Sequence, residues 1–323
     1  MPRPETNAAD HAMGADLIAV VVAVTAGEPR VLTVADGNTG LPSGPFELGH
    51  RSLQSGLRAW VERQTHHPLG YVEQLYTFAD RDRTGGESGR NIISISYLGL
   101  TREVRAPGGQ EVAGWQGWYR YLPWEDRRGG VPALIDGAIA PRLRAWAEAA
   151  AERGERGERR DRLHRAAITF GLDGQAWNDE LVLQRYELLF EAGLVAEARR
   201  GAACDMPPTG VPMRHDHRRI LATGIARLRA KIRYRPVVFE LMPPGFTLLQ
   251  LQRAVEALAG QLVHKQNFRR LVEQQDLVEE TGRMTAETGG RPAKLFRFRR
   301  AVLQERAVAG TKPPVARGPA AGS

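Results

Sequence analysis

The chain has 323 residues, 42% hydrophobic and 25% charged, with one cysteine, Cys204. This is the composition of a folded soluble protein of about two domains. It excludes a disulfide framework and a multi-cysteine zinc site, and the longest apolar run, Leu17 to Val24, falls far short of the roughly twenty residues of a membrane span. The net charge of +8 is uneven: residues 1–204 carry 24 Lys+Arg against 27 Asp+Glu, and residues 205–323 carry 21 against 10, so the C-terminal third holds the positive field and points to a polyanion partner there.

The polar start, Met1 to Asn7, lacks the apolar core of a signal peptide, which predicts a cytoplasmic protein without a membrane anchor. Leu17 to Val24 is β-branched and continuous, the pattern of a buried central strand. Residues 30–34 read as its hairpin partner, with Gly27-Glu28-Pro29 at the turn. Ser52 to Gln64 has helical spacing, with Leu53, Leu57, Trp60 and Val61 on one face. Residues 71–78 and 91–100 are strand-like and joined by a polar, glycine-rich loop over 80–89. Glu111 to Leu122, rich in Trp and Tyr, predicts a further strand.

Val131 to Ala151 predicts a helix with Leu143 and Trp146 inward. Residues 152–162 alternate acid, base and glycine, which reads as a solvated linker or frayed helix. Asp179 to Ala192 is amphipathic along Leu181, Arg185 and Leu188, with Asn178 able to cap its start and Gly193 its end. His217 to Tyr234 predicts a helix with Ile220, Leu221, Ile225, Leu228 and Ile232 apolar and Arg218, Arg219, Arg229 and Arg233 on the other face. Thr247 and Gln250 form a capping box for a second helix, closed by Gly260. A third runs from His264 to Gln274, and residues 278–299 alternate around a turn-rich tip, a β-hairpin. Residues 308–323 are rich in Ala, Gly and Pro.

Three helices followed by a hairpin is the order of a winged helix-turn-helix, in which the last helix enters the major groove and the wing touches the backbone. In the third helix Phe268, Leu271 and Val272 form an inward stripe. That leaves Lys265, Gln266, Asn267, Arg269 and Arg270 for DNA, since Arg can fork onto guanine and Asn or Gln onto adenine. The hairpin adds Arg291, Lys294 and Arg297 as phosphate donors.

Residues 226–241 (Ala-Arg-Leu-Arg-Ala-Lys-Ile-Arg-Tyr-Arg-Pro-Val-Val-Phe-Glu-Leu), together with 246–252, 267–270 and 290–298, resemble the DNA-binding domain of NrtR-type regulators of NAD metabolism. That family pairs the module with a Nudix-like domain. Residues 41–49 (Leu-Pro-Ser-Gly-Pro-Phe-Glu-Leu-Gly) and 74–80 are similar to the loop before and the strand after a Nudix helix. The Nudix signature gathers carboxylates on one helix to hold Mg²⁺ against a diphosphate and activate water. Laid from Gly44, it places His50, Ala59 and Arg63 at three of its four carboxylate positions and keeps Arg58 and Glu62. The resemblance therefore implies a Nudix-like domain kept as a ligand sensor, with hydrolysis lost. Ligand-binding candidates are Arg58, Glu62, Asp80, Arg83 and Arg90; Arg58 and Glu62, at i and i+4, fit a structural ion pair equally well. His50, His66 and His67 lack a metal-ligand pattern and read as surface histidines. Unlike the compact regulators, this chain carries a long insertion from Trp115 to Ala203.

The expected fold is α/β plus α: a disordered start over 1–15, an N-terminal Nudix-like α/β/α sandwich over 16–126, a helical connector over 127–204, a C-terminal winged helix-turn-helix over 205–303, and a disordered tail over 304–323. The expected function is a homodimeric regulator that binds double-stranded DNA and senses a nucleotide such as ADP-ribose, the effector being implied by the resemblance alone. The alternative is a Nudix hydrolase acting on ADP-ribose or NADH, for which alone Mg²⁺ would be needed. A third reading is a ligand-binding protein whose basic part contacts protein or RNA.

Overall fold

The computed structural model describes residues 14–36, 38–47, 49–79, 92–103, 113–199, 208–234, 237–286, 292–299 and 301. The expected loop with Asp80, Arg83 and Arg90, the hairpin tip with Arg291, and nearly all of both expected disordered ends lie outside them. Contacts divide the chain into two compact units, residues 1–241 with 253–262, and 242–252 with 263–323.

The first unit is built on a seven-stranded sheet. Strand β1 (Gly14–Thr25) has seven consecutive buried residues, Leu17 to Ala23, as its uninterrupted apolar run requires. It is flanked by β2 (Glu28–Asp36), antiparallel, and β6 (Ile92–Leu100), parallel. The tight turn falls one residue earlier than expected, at Ala26-Gly27, both with positive φ (53° and 77°). Such a pair matches the twist of a two-residue hairpin. The sheet order is β3 (Asn38–Gly40), β2, β1, β6, β5 (Tyr71–Phe78). Off this path β4 (Ser43–Pro45) pairs with β1 and β7 (Ala113–Gly117) with β2.

Helix α1 (Leu53–Thr65) starts at Ser52, whose hydroxyl and that of Ser55 cap one another's backbone N–H. Its Leu57 and Val61 pack with Leu17, Ala19 and Val21 of β1, Leu32 and Tyr97. Side chains alternate along a strand, so Val20 faces the other way, and there it meets Gly224 of helix α5 (His217–Tyr234) so closely that a Cβ on that glycine would sit 2.9 Å from Val20 Cγ1. Helix α5, expected to open the DNA-binding domain, thus covers the second face of this sheet, and an α/β/α sandwich results. The reason is its apolar stripe: Ile220, Leu221, Ile225 and Leu228 are all fully buried.

Strand β7 is shorter than expected. From Trp118 the backbone turns through two short 3₁₀ segments, 118–120 and 123–125, which bury Trp118, Tyr121 and Trp124; Pro123 has no N–H for a ladder. Helices α2 (Ala140–Glu152), α3 (Arg156–Phe170) and α4 (Val182–Glu191) follow. The expected linker over 152–162 shrinks to residues 153–155. Charge pairing explains this, with Arg159 bidentate on Glu148 of α2 at 2.7 Å and Arg162 on Glu158 within α3 at 2.8 Å. Buried Ala166 and Phe170 dock the helix. Trp146, expected inward, is half-buried under the Arg162 guanidinium. Asn178 does not cap α4; its Oδ1 accepts from the Glu180 N–H at 3.0 Å in a turn before the helix.

In the second unit, Thr247 and Gln250 form the expected box at the start of α6 (Leu248–Ala259): each backbone N–H donates to the other's side-chain oxygen, at 2.7 and 3.1 Å. Helix α7 (Lys265–Gln274) and the hairpin β8 (Val278–Thr285) and β9 (Ala293–Phe298) complete it. Phe246 exchanges both backbone hydrogen bonds with Phe296, which adds a short third strand to the wing.

Candidate functional site

Helix α7 is amphipathic about a two-residue anchor. Phe268 and Val272 are buried; Lys265, Gln266, Asn267, Arg269 and Arg270 are all exposed. Leu271, expected inward, is 52% exposed, so the stripe is narrower than i, i+3, i+4 spacing suggests. Among the described residues neither Arg269 nor Arg270 has a salt-bridge partner, and both guanidiniums can donate outward. The wing differs. Lys294 donates to Glu280 at 2.8 Å and Arg297 to Glu279 at 2.7 Å, with Glu279 half-buried and the other three exposed. Two of the hairpin's expected phosphate donors are thus half-neutralised by their own cross-strand neighbours.

The charge of the C-terminal third is also redistributed. Arg218 and Arg229 of α5 are fully buried rather than solvated. Arg218 pairs with Glu197, Arg219 with Glu187 and Asp216, and Arg227 and Lys231 with Glu73. Arg229 and Arg185 both bind Glu125, at 2.5 Å each, and all three side chains are fully enclosed. Burial pushes the Glu125 carboxyl up, but the two guanidiniums more than offset it and hold it below the usual carboxylate range. Arg185 also stacks on Trp177 and donates to the carbonyls of Thr169 and Asn178. The one sequence signal for this cluster was an arginine inside the apolar stripe of α4. In the second unit itself, residues 242–252 and 263–323 carry 12 Lys+Arg against 6 Asp+Glu, and that excess of +6 is the field left for a polyanion.

The Nudix-like loop and helix are held rigidly. Gly44 packs under the Trp60 ring, where a Cβ would collide with it, and Trp60 Nε1 donates to the Pro45 carbonyl at 2.9 Å. Gln64 makes two hydrogen bonds to the Ser43 backbone. From the other side Arg214 donates to Ser43 Oγ at 2.9 Å and the Leu41 carbonyl at 3.3 Å, and His217 Nδ1 accepts the Leu41 N–H at 2.8 Å. Arg214 and His217 carry no local signal for this role, because they lie more than 170 residues away in sequence.

Of the ligand candidates, Arg58 donates to the carbonyls of Leu69 and Gly70, tying α1 to the turn before β5. Glu62 is exposed and has no partner among the described residues; the Arg58–Glu62 pair does not form. Arg63 lies over Trp60, 4.4 Å from the ring centre. His50 Nδ1 accepts the Glu47 N–H at 3.1 Å. His67 is buried against Trp115, whose Nε1 donates to it at 3.3 Å; of the three expected surface histidines only His66 is exposed. The residues do not fit a catalytic Mg²⁺ array. Glu62 stands beside a cation, and no group of three His, Cys, Asp or Glu side chains converges among the described residues.

An α/β/α sandwich followed by a winged helix defines the class. Residues 238–298 match the family model of the NrtR DNA-binding winged helix domain. Over 83 residues the chain is 42% identical to the ADPR responsive transcriptional repressor NtrR of Acinetobacter baylyi, a match covering 26% of this chain and 33% of that one; the chain spans a third of the length of this curated relative. The fold resembles Shewanella oneidensis NrtR, solved in complex with a 27mer DNA, with a TM-score of 0.53 at 19% identity over 90% of this chain and 95% of that one. It also resembles a MutT/nudix family protein from Enterococcus faecalis, with a TM-score of 0.52 at 14% identity over 93% and 90%. The architecture is thus that of NrtR, a Nudix-like domain with a winged helix. No described helix is long and apolar enough to cross a membrane.

Proposed function

We propose that this chain is a DNA-binding transcription regulator whose Nudix-like domain senses a nucleotide such as ADP-ribose. The observation that carries the reading is the exposed basic helix α7 inside a winged helix segment of NrtR type. The name of the Acinetobacter relative, responsive to ADPR, supports the effector. Loss of carboxylates at His50, Ala59 and Arg63 favours binding without turnover, since a diphosphate needs donors whereas hydrolysis needs a held metal and an aimed water. The regulator would act in the cytoplasm as a homodimer on two half-sites about one helical turn apart. Ligand would favour a dimer geometry in which the two recognition helices miss those half-sites.

Asp80, Arg83 and Arg90 remain the proposed diphosphate contacts, and Glu62 a proposed ligand contact. Arg58 serves the ligand indirectly, by fixing α1. Residues 16–126 are proposed as the sensor and 127–204 as its connector; the module proposed for 205–303 contributes α5 to the sensor's sandwich.

Gel shifts of the full chain against its own upstream DNA test the reading, alongside calorimetry with ADP-ribose and a turnover assay in excess Mg²⁺ or Mn²⁺. Saturable binding, release from DNA and no turnover are expected. Turnover abolished by Glu62→Gln would favour the hydrolase, and binding to RNA or protein but to no duplex would favour the third reading.

A further inference from the structure

The burial pattern of α7 sorts its exposed residues by direction. At about 100° per residue, Phe268 and Val272 set the inward direction, and Arg270 lies diametrically opposite their midpoint. Gln266 and Gln274 sit about 40° to either side of Arg270, one turn before and one turn after it. Arg269 and Leu271 lie on the two flanks, about 100° from that outward line. Gln274, exposed at the end of the helix, has had no role so far.

Glu273 stands four residues beyond Arg269 and three beyond Arg270, so by helical spacing it neighbours both arginines. The residues four before and four after Arg270 are both glutamines, uncharged and each offering a donor and an acceptor. The outward row therefore carries one fork-shaped cation between two amides and no acid.

We infer that base readout is concentrated in the row Gln266–Arg270–Gln274, with Arg270 on a guanine and the two amides on adenines. This rests on the DNA-binding reading proposed above. Residues four apart on a helix are separated by about 6 Å, and base pairs by about 3.4 Å. Each adenine therefore lies about two base pairs from the guanine. Arg269, on the flank, faces the phosphate backbone and adds affinity without sequence preference.

The test is selection from a pool of random duplexes with the full chain, followed by base-preference profiles of Arg270→Ala, Gln274→Ala and Arg269→Ala. All three positions are exposed, so folding is retained. The wild type is expected to select a guanine with an adenine about two base pairs to each side. Arg270→Ala binds the selected duplex at least about fivefold more weakly and loses preference at the guanine alone. Gln274→Ala loses one adenine, and Arg269→Ala weakens all duplexes alike. 7-Deazaguanine at the central position weakens the wild type and leaves Arg270→Ala unmoved. An unchanged profile in Arg270→Ala, or loss of the guanine preference in Arg269→Ala, overturns the row while leaving DNA binding intact. Failure of the wild type to select any sequence overturns the row and the regulator reading together.

Discussion

His217 is enclosed between Arg214 and the loop before α1, and its Nδ1 accepts the Leu41 N–H. Burial, aided by the charges of Arg214 and His215, lowers its pKa to about 3. An unfolded histidine titrates near 6.5, so below that pH the unfolded chain binds a proton that the native state refuses. The contribution of His217 to stability is therefore complete above about pH 6.5 and is lost, at about 1.4 kcal/mol per pH unit, as pH falls toward 3. Urea unfolding of the full chain between pH 7 and 5 should show this slope, and His217→Gln should flatten it; equal slopes would assign the dependence to another group. Glu125 is the second decisive residue, because its carboxylate forms ion pairs with both Arg185 and Arg229 in the interior. Glu125→Ala removes the carboxylate that both buried guanidiniums pair with, and a loss of about 3–5 kcal/mol is expected. A loss below about 1 kcal/mol would mean that water compensates them, as it does for exposed pairs.

At the scale of elements, α7 and the wing differ in how far their cations are already paired. Helix α7 offers cations without described partners, whereas on the hairpin Glu280 holds Lys294 and Glu279 holds Arg297. Removing an acid should then strengthen binding. Glu280→Gln frees Lys294 for phosphate, and we expect a higher affinity at low salt with a salt slope steeper by about one counter-ion. Isotherms at several salt concentrations measure both, and an unchanged slope would place the wing away from the duplex. In the first unit, α1 keeps one of the four signature carboxylates, Glu62. Gly44 survives for a packing reason, the Trp60 ring against it, so its presence in a signature-like loop says nothing about catalysis.

For the whole molecule, charge count and free charge differ. The excess in residues 205–323 includes five cations of α5 whose carboxylates include Glu73, Glu125, Glu187 and Glu197, all earlier in the chain. A fragment beginning at Asp205 would expose Ile220, Leu221, Ile225 and Leu228 and strip Arg218 and Arg229 of their partners. Such a fragment should aggregate or unfold rather than act as an autonomous DNA-binding domain, and sedimentation with thermal melts will tell. A monomeric fragment with a cooperative transition would show that α5 can fold without its sheet. In the full chain, DNA affinity should fall steeply as salt rises, in proportion to the phosphates neutralised.

The sequence by itself determined the elements with strong local physics. β1 follows from an apolar run buried on both faces, α6 from the Thr247–Gln250 box, and the outward basic face of α7 from its spacing. Tertiary structure alone decided which unit owns α5, because its apolar stripe fits any complementary face and only the uncovered side of β1 supplied one, close enough to require Gly224. It also decided which cations are free. A guanidinium looks the same in sequence whether it faces water or a carboxylate a hundred residues away, and only the folded chain brings Glu125 to Arg229.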